Sequence, residues 1–202
     1  MSALSLLMFA SAYLLGSISS AILVCKLFGL GDPRLQGSRN PGATNVFRIG
    51  GRLPATLVLV FDVLKGTLPV WLSYRLGLVP IHIAFVAVTA CLGHMFPLFF
   101  SFRGGKAVAT ALGALLPLGF SLTAILIGIW ITVSFIGGYS SLASIITFAL
   151  APLVTYLFRP EYVLPVAILS TLIVLRHKQN ILRLLYKQET KIRDKNKAKS
   201  KD

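Results

Sequence analysis

Acidic residues are the scarcest feature of this 202-residue chain: 6 Asp and Glu face 20 Lys and Arg, and charged residues make up only 13% of it. A soluble domain keeps about 25% charged residues to cover its surface. Water is therefore excluded as the solvent for most of this surface. Cysteine is almost absent too, and Cys25 and Cys91 both lie within apolar runs. That argues against a structural disulfide and leaves them as small buried hydrophobes. Three histidines and six scattered acids form no ligand set, so neither a metal nor another cofactor is expected. No basic residue precedes the first apolar stretch, so Ala10-Ser11-Ala12 does not read as a signal cleavage site, and the stretch is kept as a span.

What is abundant is hydrocarbon. Hydrophobic residues make up 55% of the chain, and mean hydropathy is +0.80. A spanning helix needs roughly 20 apolar residues. The runs Ala3 to Leu27, Leu53 to Tyr74, Val79 to Phe100, Ala107 to Phe135, Leu142 to Phe158 and Tyr162 to Leu175 are the candidates. Pro117, Leu118 and Gly119 divide the fourth run, which makes seven spans; undivided, the count falls to five or six. With seven spans and an external N-terminus, every Lys and Arg except Lys65, Arg75 and Arg159 falls on the cytoplasmic side. That asymmetry satisfies the positive-inside rule. The expected fold is an all-α, polytopic membrane helix bundle of about seven helices, N-terminus outside and C-terminus cytoplasmic. Residues 1–190 form the membrane domain, and 191–202 are expected to be a disordered basic tail. A net charge of +14 admits nucleic acid as a partner. Placed beside membrane spans, these cations read instead as cytoplasmic topology and attraction to anionic membrane lipid.

Three polar clusters break the apolar pattern. The loop Gly37 to Arg48 mixes glycines, hydroxyls, amides and two arginines, a composition suited to gripping an anion. Gly37 and Gly42 have the spacing of a nucleotide P-loop, but Ala43 stands where that motif needs Lys, which excludes nucleotide hydrolysis. Arg103-Gly104-Gly105-Lys106 precedes a new helix, whose unpaired N–H groups favour an anion. His177 and Asn180, spaced i, i+3 after the last span, share one face at the same depth. Each cluster alone also reads as a basic loop that fixes topology. Their shared boundary suggests a pocket for a small phosphorylated molecule beside the acyl region of the bilayer. Within the second span, Asp62 and Lys65 lie on one helical face and are expected to form a structural ion pair. His94 is expected to satisfy a backbone carbonyl, and His82 lies near the opposite boundary.

In order, G-S-x-N-P-G-A-T-N-x-x-R, D-x-x-K-G, G-H-x-F-P-x-F-x-x-F-[K/R]-G-G-K-x-V-A-T and H-x-x-N-I-x-R-L resemble the bacterial acyl-phosphate:glycerol-3-phosphate acyltransferases, over nearly the whole chain from Ala12 to Thr190. The resemblance implies transfer of a fatty acyl group from acyl phosphate to the 1-hydroxyl of sn-glycerol 3-phosphate. The products would be lysophosphatidate and phosphate, at the cytoplasmic face of a bacterial inner membrane, in the first step of phospholipid synthesis. It implies catalytic roles for Ser38, Arg48, Lys106, His177 and Asn180, a phosphate-binding glycine loop at Gly104 and Gly105, and a structural role for Glu189. Asn40, Thr44, Asn45 and Ser141 are expected to contact substrate. Arg48, Lys106 and the Gly104–Gly105 amides are assigned to the phosphates, with His177 the candidate general base. No H-x-x-x-x-D pair occurs, so the His/Asp acyltransferases that use thioester donors are not resembled. Arg39 and Ala107 stand where the family has Gly, and Arg103 where Lys is common. Ala107 is expected to lie in the first turn of a helix, where Ala is harmless. A transporter of an organic phosphate, with Asp62 and Lys65 along its path, and a non-catalytic lipid-binding protein are the competing readings.

Overall fold

The structure, a computed structural model, describes residues 2–192. Among these residues every regular element is a helix and there is no strand. The helices are α1 (Ala3–Gly16), α2 (Ser20–Leu27), α3 (Ala43–Gly50), α4 (Arg52–Arg75), α5 (Pro80–Met95), α6 (Val108–Leu115), α7 (Phe120–Gly137), α8 (Ser140–Phe158), α9 (Val163–Arg176) and α10 (Lys178–Leu185). Every apolar run of the sequence is helical. Five helical segments are long and apolar enough to cross a membrane: Ala3–Leu27, Arg52–Arg75, Pro80–Phe100, Phe120–Gly137 and Ser140–Phe158. α6 and α9 are shorter, with 8 and 14 residues. Eight residues rise only about 12 Å, well short of an apolar core about 30 Å thick.

The chain alternates between two ends. At one end Ser5 Oγ lies 2.9 Å from His82 Nδ1, and Arg159 donates to Leu118 O at 2.9 Å. At the other, Arg34 reaches Phe100 O, Arg48 reaches Thr190 O, and Ile192 N donates to Gly138 O. The three polar clusters all lie at this second end.

Hydrocarbon faces outward as well as inward. Phe61, Leu68 and Trp71 on α4, and Phe135 and Ile136 on α7, are exposed, as lipid contact requires. Inside, small residues replace large ones where helices cross. Gly66 on α4 and Gly113 on α6 make one close crossing, matched by Gly16 on α1 and Gly93 on α5. A Cβ on Gly66 would strike Thr110 O, and one on Gly113 would strike Val63 O. Close backbone approach of this kind drives helix association in lipid, where burying hydrocarbon gains nothing. It also pins α6, the shortest apolar helix, deep in the bundle.

The expected disordered tail lies outside the described residues from residue 193 onward. Its first two residues are placed. Lys191 Nζ sits 5.7 Å from the Tyr139 ring, and Ile192 is bonded to Gly138.

Candidate active site

Ser38, Asn40, Thr44, Asn45, Arg48, Lys106, Ser141, His177 and Asn180 line one cavity of about 470 Å³. Of the expected site residues, only Gly104 and Gly105 lie outside its wall. The cavity has a polar half at the loop end and an apolar half formed by Leu59, Val63, Leu112, Leu116, Ile127 and Ile131 on α4, α6 and α7.

The polar half is organised by a carboxylate. Glu189 Oε1 accepts from Asn180 Nδ2 at 2.6 Å and Ser141 Oγ at 2.7 Å, and Oε2 accepts from Arg183 Nε at 2.7 Å. Asn180 Oδ1 in turn accepts from Lys106 Nζ. Burial pushes the Glu189 carboxyl up, but the bonds from Arg183, Ser141 and Asn180 outweigh it and hold the group below its ordinary range. Glu189 is therefore ionised and fully occupied, which suits the structural role expected for it.

Lys106 stands at the centre. Burial pulls its ammonium down to about 8, with further lowering from Arg183, Arg176 and Arg48, while Glu189 pulls the other way. The cation persists at neutral pH, but only just. His177 is 2% exposed, and its Nδ1 lies 2.8 Å from Ile173 O. A carbonyl can only accept, so Nδ1 carries the proton and Nε2 the lone pair. Burial and the Lys106 charge push His177 down to about 4. Both effects work against the proton-accepting role expected of His177 as candidate general base. His177 is neutral at physiological pH and a weak base, better suited to accept a hydrogen bond than to remove a proton.

Three further assignments change. Asn45 lines the cavity, yet its side chain is spent on the backbone: Oδ1 accepts from Ser38 N at 2.8 Å, and Nδ2 donates to Pro33 O and Gln36 O. It shapes the loop that presents Ser38 rather than contacting substrate. The Gly105 amide is likewise committed, donating to His94 O, so it is no donor to a phosphate. Gly104 lines a second cavity on the other side of its loop. Ala107 precedes α6 with φ 61° and ψ 19°, a left-handed conformation, not a helical one. The chain must reverse there to aim Lys106 at Asn180 before α6 begins, so Ala sits where Gly would be unstrained.

Several residues here escaped the sequence reading. Arg176 Nη2 donates to Gly104 O and Gly105 O at 2.8 and 3.0 Å, clamping the loop that carries Lys106. Its place beside His177 was the available signal, but it counted only as a topology charge. Among the described residues, His94 does not pair with a backbone carbonyl through its ring. Its Nδ1 lies 3.4 Å from Asp62 Oδ1 and 3.1 Å from Thr110 Oγ1. The ring also fills the space a Gly105 side chain would need. Asp62 and Lys65 pair at 2.8 Å as expected, with Ser20 donating to Asp62 at 2.6 Å and Lys65 to Ile18 O at 3.0 Å. Among the described residues no hydrogen bond joins His177 to Ser38 or Ser141, so no serine nucleophile is poised.

Comparison with known proteins agrees with this geometry. The family model for glycerol-3-phosphate acyltransferase matches residues 6–187. A glycerol-3-phosphate acyltransferase of Aliivibrio fischeri (strain MJ11) is 61% identical over 192 residues, covering 95% of this chain and 97% of the relative. One of Vibrio cholerae is 55% identical over 202 residues, covering 100% and 97%. Among solved structures, the glycerol 3-phosphate form of PlsY (YgiH), an integral membrane glycerol 3-phosphate acyltransferase, superposes with a TM-score of 0.88 at 36% identity over 93% of this chain and 94% of that one. Its lysophosphatidic acid form gives 0.86 at 35%. A multi-pass helical bundle, a cavity half cationic and half apolar, and similarity along almost the whole chain lead to one assignment: this protein is a membrane-integral enzyme of the glycerol-3-phosphate acyltransferase family.

Proposed function

We propose that the enzyme moves a fatty acyl group from acyl phosphate to the 1-hydroxyl of sn-glycerol 3-phosphate at the cytoplasmic boundary of the bacterial inner membrane. One observation carries this reading. A single cavity joins Arg48 and Lys106 to the apolar wall of Leu112, Leu116, Ile127 and Ile131, so phosphate groups and an acyl chain can occupy it together.

Acyl phosphate is an activated mixed anhydride, and the main task is to hold two anions side by side. Arg48 and Lys106 neutralise them. Ser38, Asn180 and neutral His177 orient the attacking hydroxyl and the acyl carbonyl. The hydroxyl oxygen bonds to the carbonyl carbon, the bond from that carbon to the phosphate oxygen breaks, and inorganic phosphate departs. The hydroxyl proton goes to the departing phosphate, a stronger base than an imidazole held at about 4.

Purified protein in detergent, offered acyl phosphate, acyl-CoA and acyl carrier protein in parallel, should form lysophosphatidate from acyl phosphate alone. Turnover with a thioester and none with acyl phosphate would refute the donor assignment. Turnover without compartments also separates an enzyme from a transporter, whose proposed path residues, Asp62 and Lys65, are here paired with each other. We further infer an external N-terminus and a chain that passes seven times between the two ends, α6 reaching across only part of the apolar thickness, so a reporter fused after Gly119 should read external.

A further inference from the structure

A second cavity, of about 640 Å³, lies between the loop after α2 and the loop after α5, on the far side of Gly104 from Lys106. Arg34, Arg39 and Arg103 supply its charge, and Asp32 is the one acid in its wall. Asp32 is already taken by Arg34 at 2.7 Å, and Arg34 also donates to Phe100 O at 3.2 Å, tying the two loops together. Among the described residues, no hydrogen bond or carboxylate engages the side chains of Arg39 and Arg103. The cavity therefore carries two uncompensated guanidinium groups.

Arg39 also holds a strained backbone, with φ 59°. A non-glycine residue in this region costs roughly 1–2 kcal/mol, and Gly would relieve it. Strain kept at a position whose side chain has no hydrogen-bond or carboxylate partner among the described residues points to a ligand outside the protein. The rim identifies the ligand. Leu35 lines the cavity and is 76% exposed, while Phe99 and Phe102, 58% and 53% exposed, stand in the same loop as the lining residues Ser101 and Arg103, and both loops join membrane spans. Guanidinium groups flanked by exposed hydrocarbon at a bilayer boundary match a phosphate that bears acyl chains, and fit a free anion or an acidic peptide poorly.

We propose that this cavity seats the headgroup of an anionic phospholipid, with Arg39 and Arg103 on its phosphate and Leu35, Phe99 and Phe102 against its acyl chains. The site is separate from the acyl-transfer cavity and depends only on the protein lying in a membrane.

The full chain, delipidated in neutral detergent, is titrated with phosphatidylglycerol and with phosphatidylcholine of the same acyl composition. Bound lipid is counted by native mass spectrometry. The wild type should prefer phosphatidylglycerol. Arg39→Gly and Arg103→Gln should each weaken its binding about fivefold, and the pair should remove the preference, given the attraction of each arginine near an anionic surface. Arg39→Gly should keep or raise the melting temperature, so loss of binding cannot be blamed on misfolding; Arg103→Gln provides a second reading. An undiminished preference in the double variant would overturn the proposal. So would displacement of phosphatidylglycerol by millimolar inorganic phosphate, which would make this a site for soluble anions.

Discussion

Two carboxylates, Asp62 and Glu189, each anchor a web of donors, and the webs do opposite jobs. Asp62 sits in the middle of the bundle with Lys65, His94 and Ser20 around it, and Lys65 gives a further bond to Ile18 O. Charge there is balanced within the protein. Glu189 sits at the boundary, where Arg183 alone balances it. Lys106, whose hydrogen-bond partner is the Asn180 amide oxygen and not a carboxylate, then keeps a positive charge on the cavity wall. Balanced charge holds helices together; surplus charge receives a substrate. His94 connects the two, because it belongs to the Asp62 web while its carbonyl accepts from Gly105 N in the loop that carries Lys106.

The largest expected effect tests the surplus. Lys106→Met should lower kcat/KM about a thousandfold, in the range of other lost electrostatic stabilisers, with no loss of melting temperature. If stability falls and turnover does not, the roles of the two webs are reversed. Asp62→Asn should do the converse. It strands Lys65 in the bundle and should cost about 3 kcal/mol of stability, read by thermal unfolding in detergent, and adding Lys65→Met should restore much of it. A smaller effect is expected from pH. Lys106 is charged below about 8 and neutral above it, so kcat/KM should decline above pH 8, about tenfold per unit. His177, held at about 4, should add no acidic limb above pH 5 once the substrate phosphate's own pKa of about 6 is allowed for. An enzyme limb near 6.5 would restore His177 as a general base. The smallest effect lies between the webs. Ala107→Gly should stabilise the fold by about 1 kcal/mol by relieving the left-handed alanine, seen as a raised melting temperature. No gain would mean that α6 starts differently.

Much of this was legible in the sequence, for a physical reason. Long apolar runs and the Lys and Arg bias report the bilayer directly, so the helices fall where hydropathy puts them. The polar clusters that hold Arg48, Lys106, His177 and Asn180 stand out against the apolar pattern, while the roles expected of Ser38, Arg48, Lys106, His177 and Asn180 came from the family resemblance. What escaped was long-range or conformational. Nothing in the sequence places the Asn45 amide on Pro33 and Gln36 rather than on a substrate. Ala107 gives no sign of positive φ, because alanine usually marks a helix. Arg176 looks like any cytoplasmic cation until its carbonyl partners come into view. The contact of Thr190 with Arg48 is likewise invisible in composition. Thr190 O accepts from Arg48 Nη2, so truncation after Glu189 would disturb the site. Truncation after Ile192 is the cleaner comparison.

The central claim, that surplus positive charge on the cavity wall captures the phosphate of the soluble substrate, is tested most directly by binding. Isothermal titration of sn-glycerol 3-phosphate into detergent-purified wild type and Lys106→Met at pH 7 should show affinity falling about 10- to 100-fold in the variant, as expected for a lost charged hydrogen bond. Equal affinity in the two proteins would contradict the account.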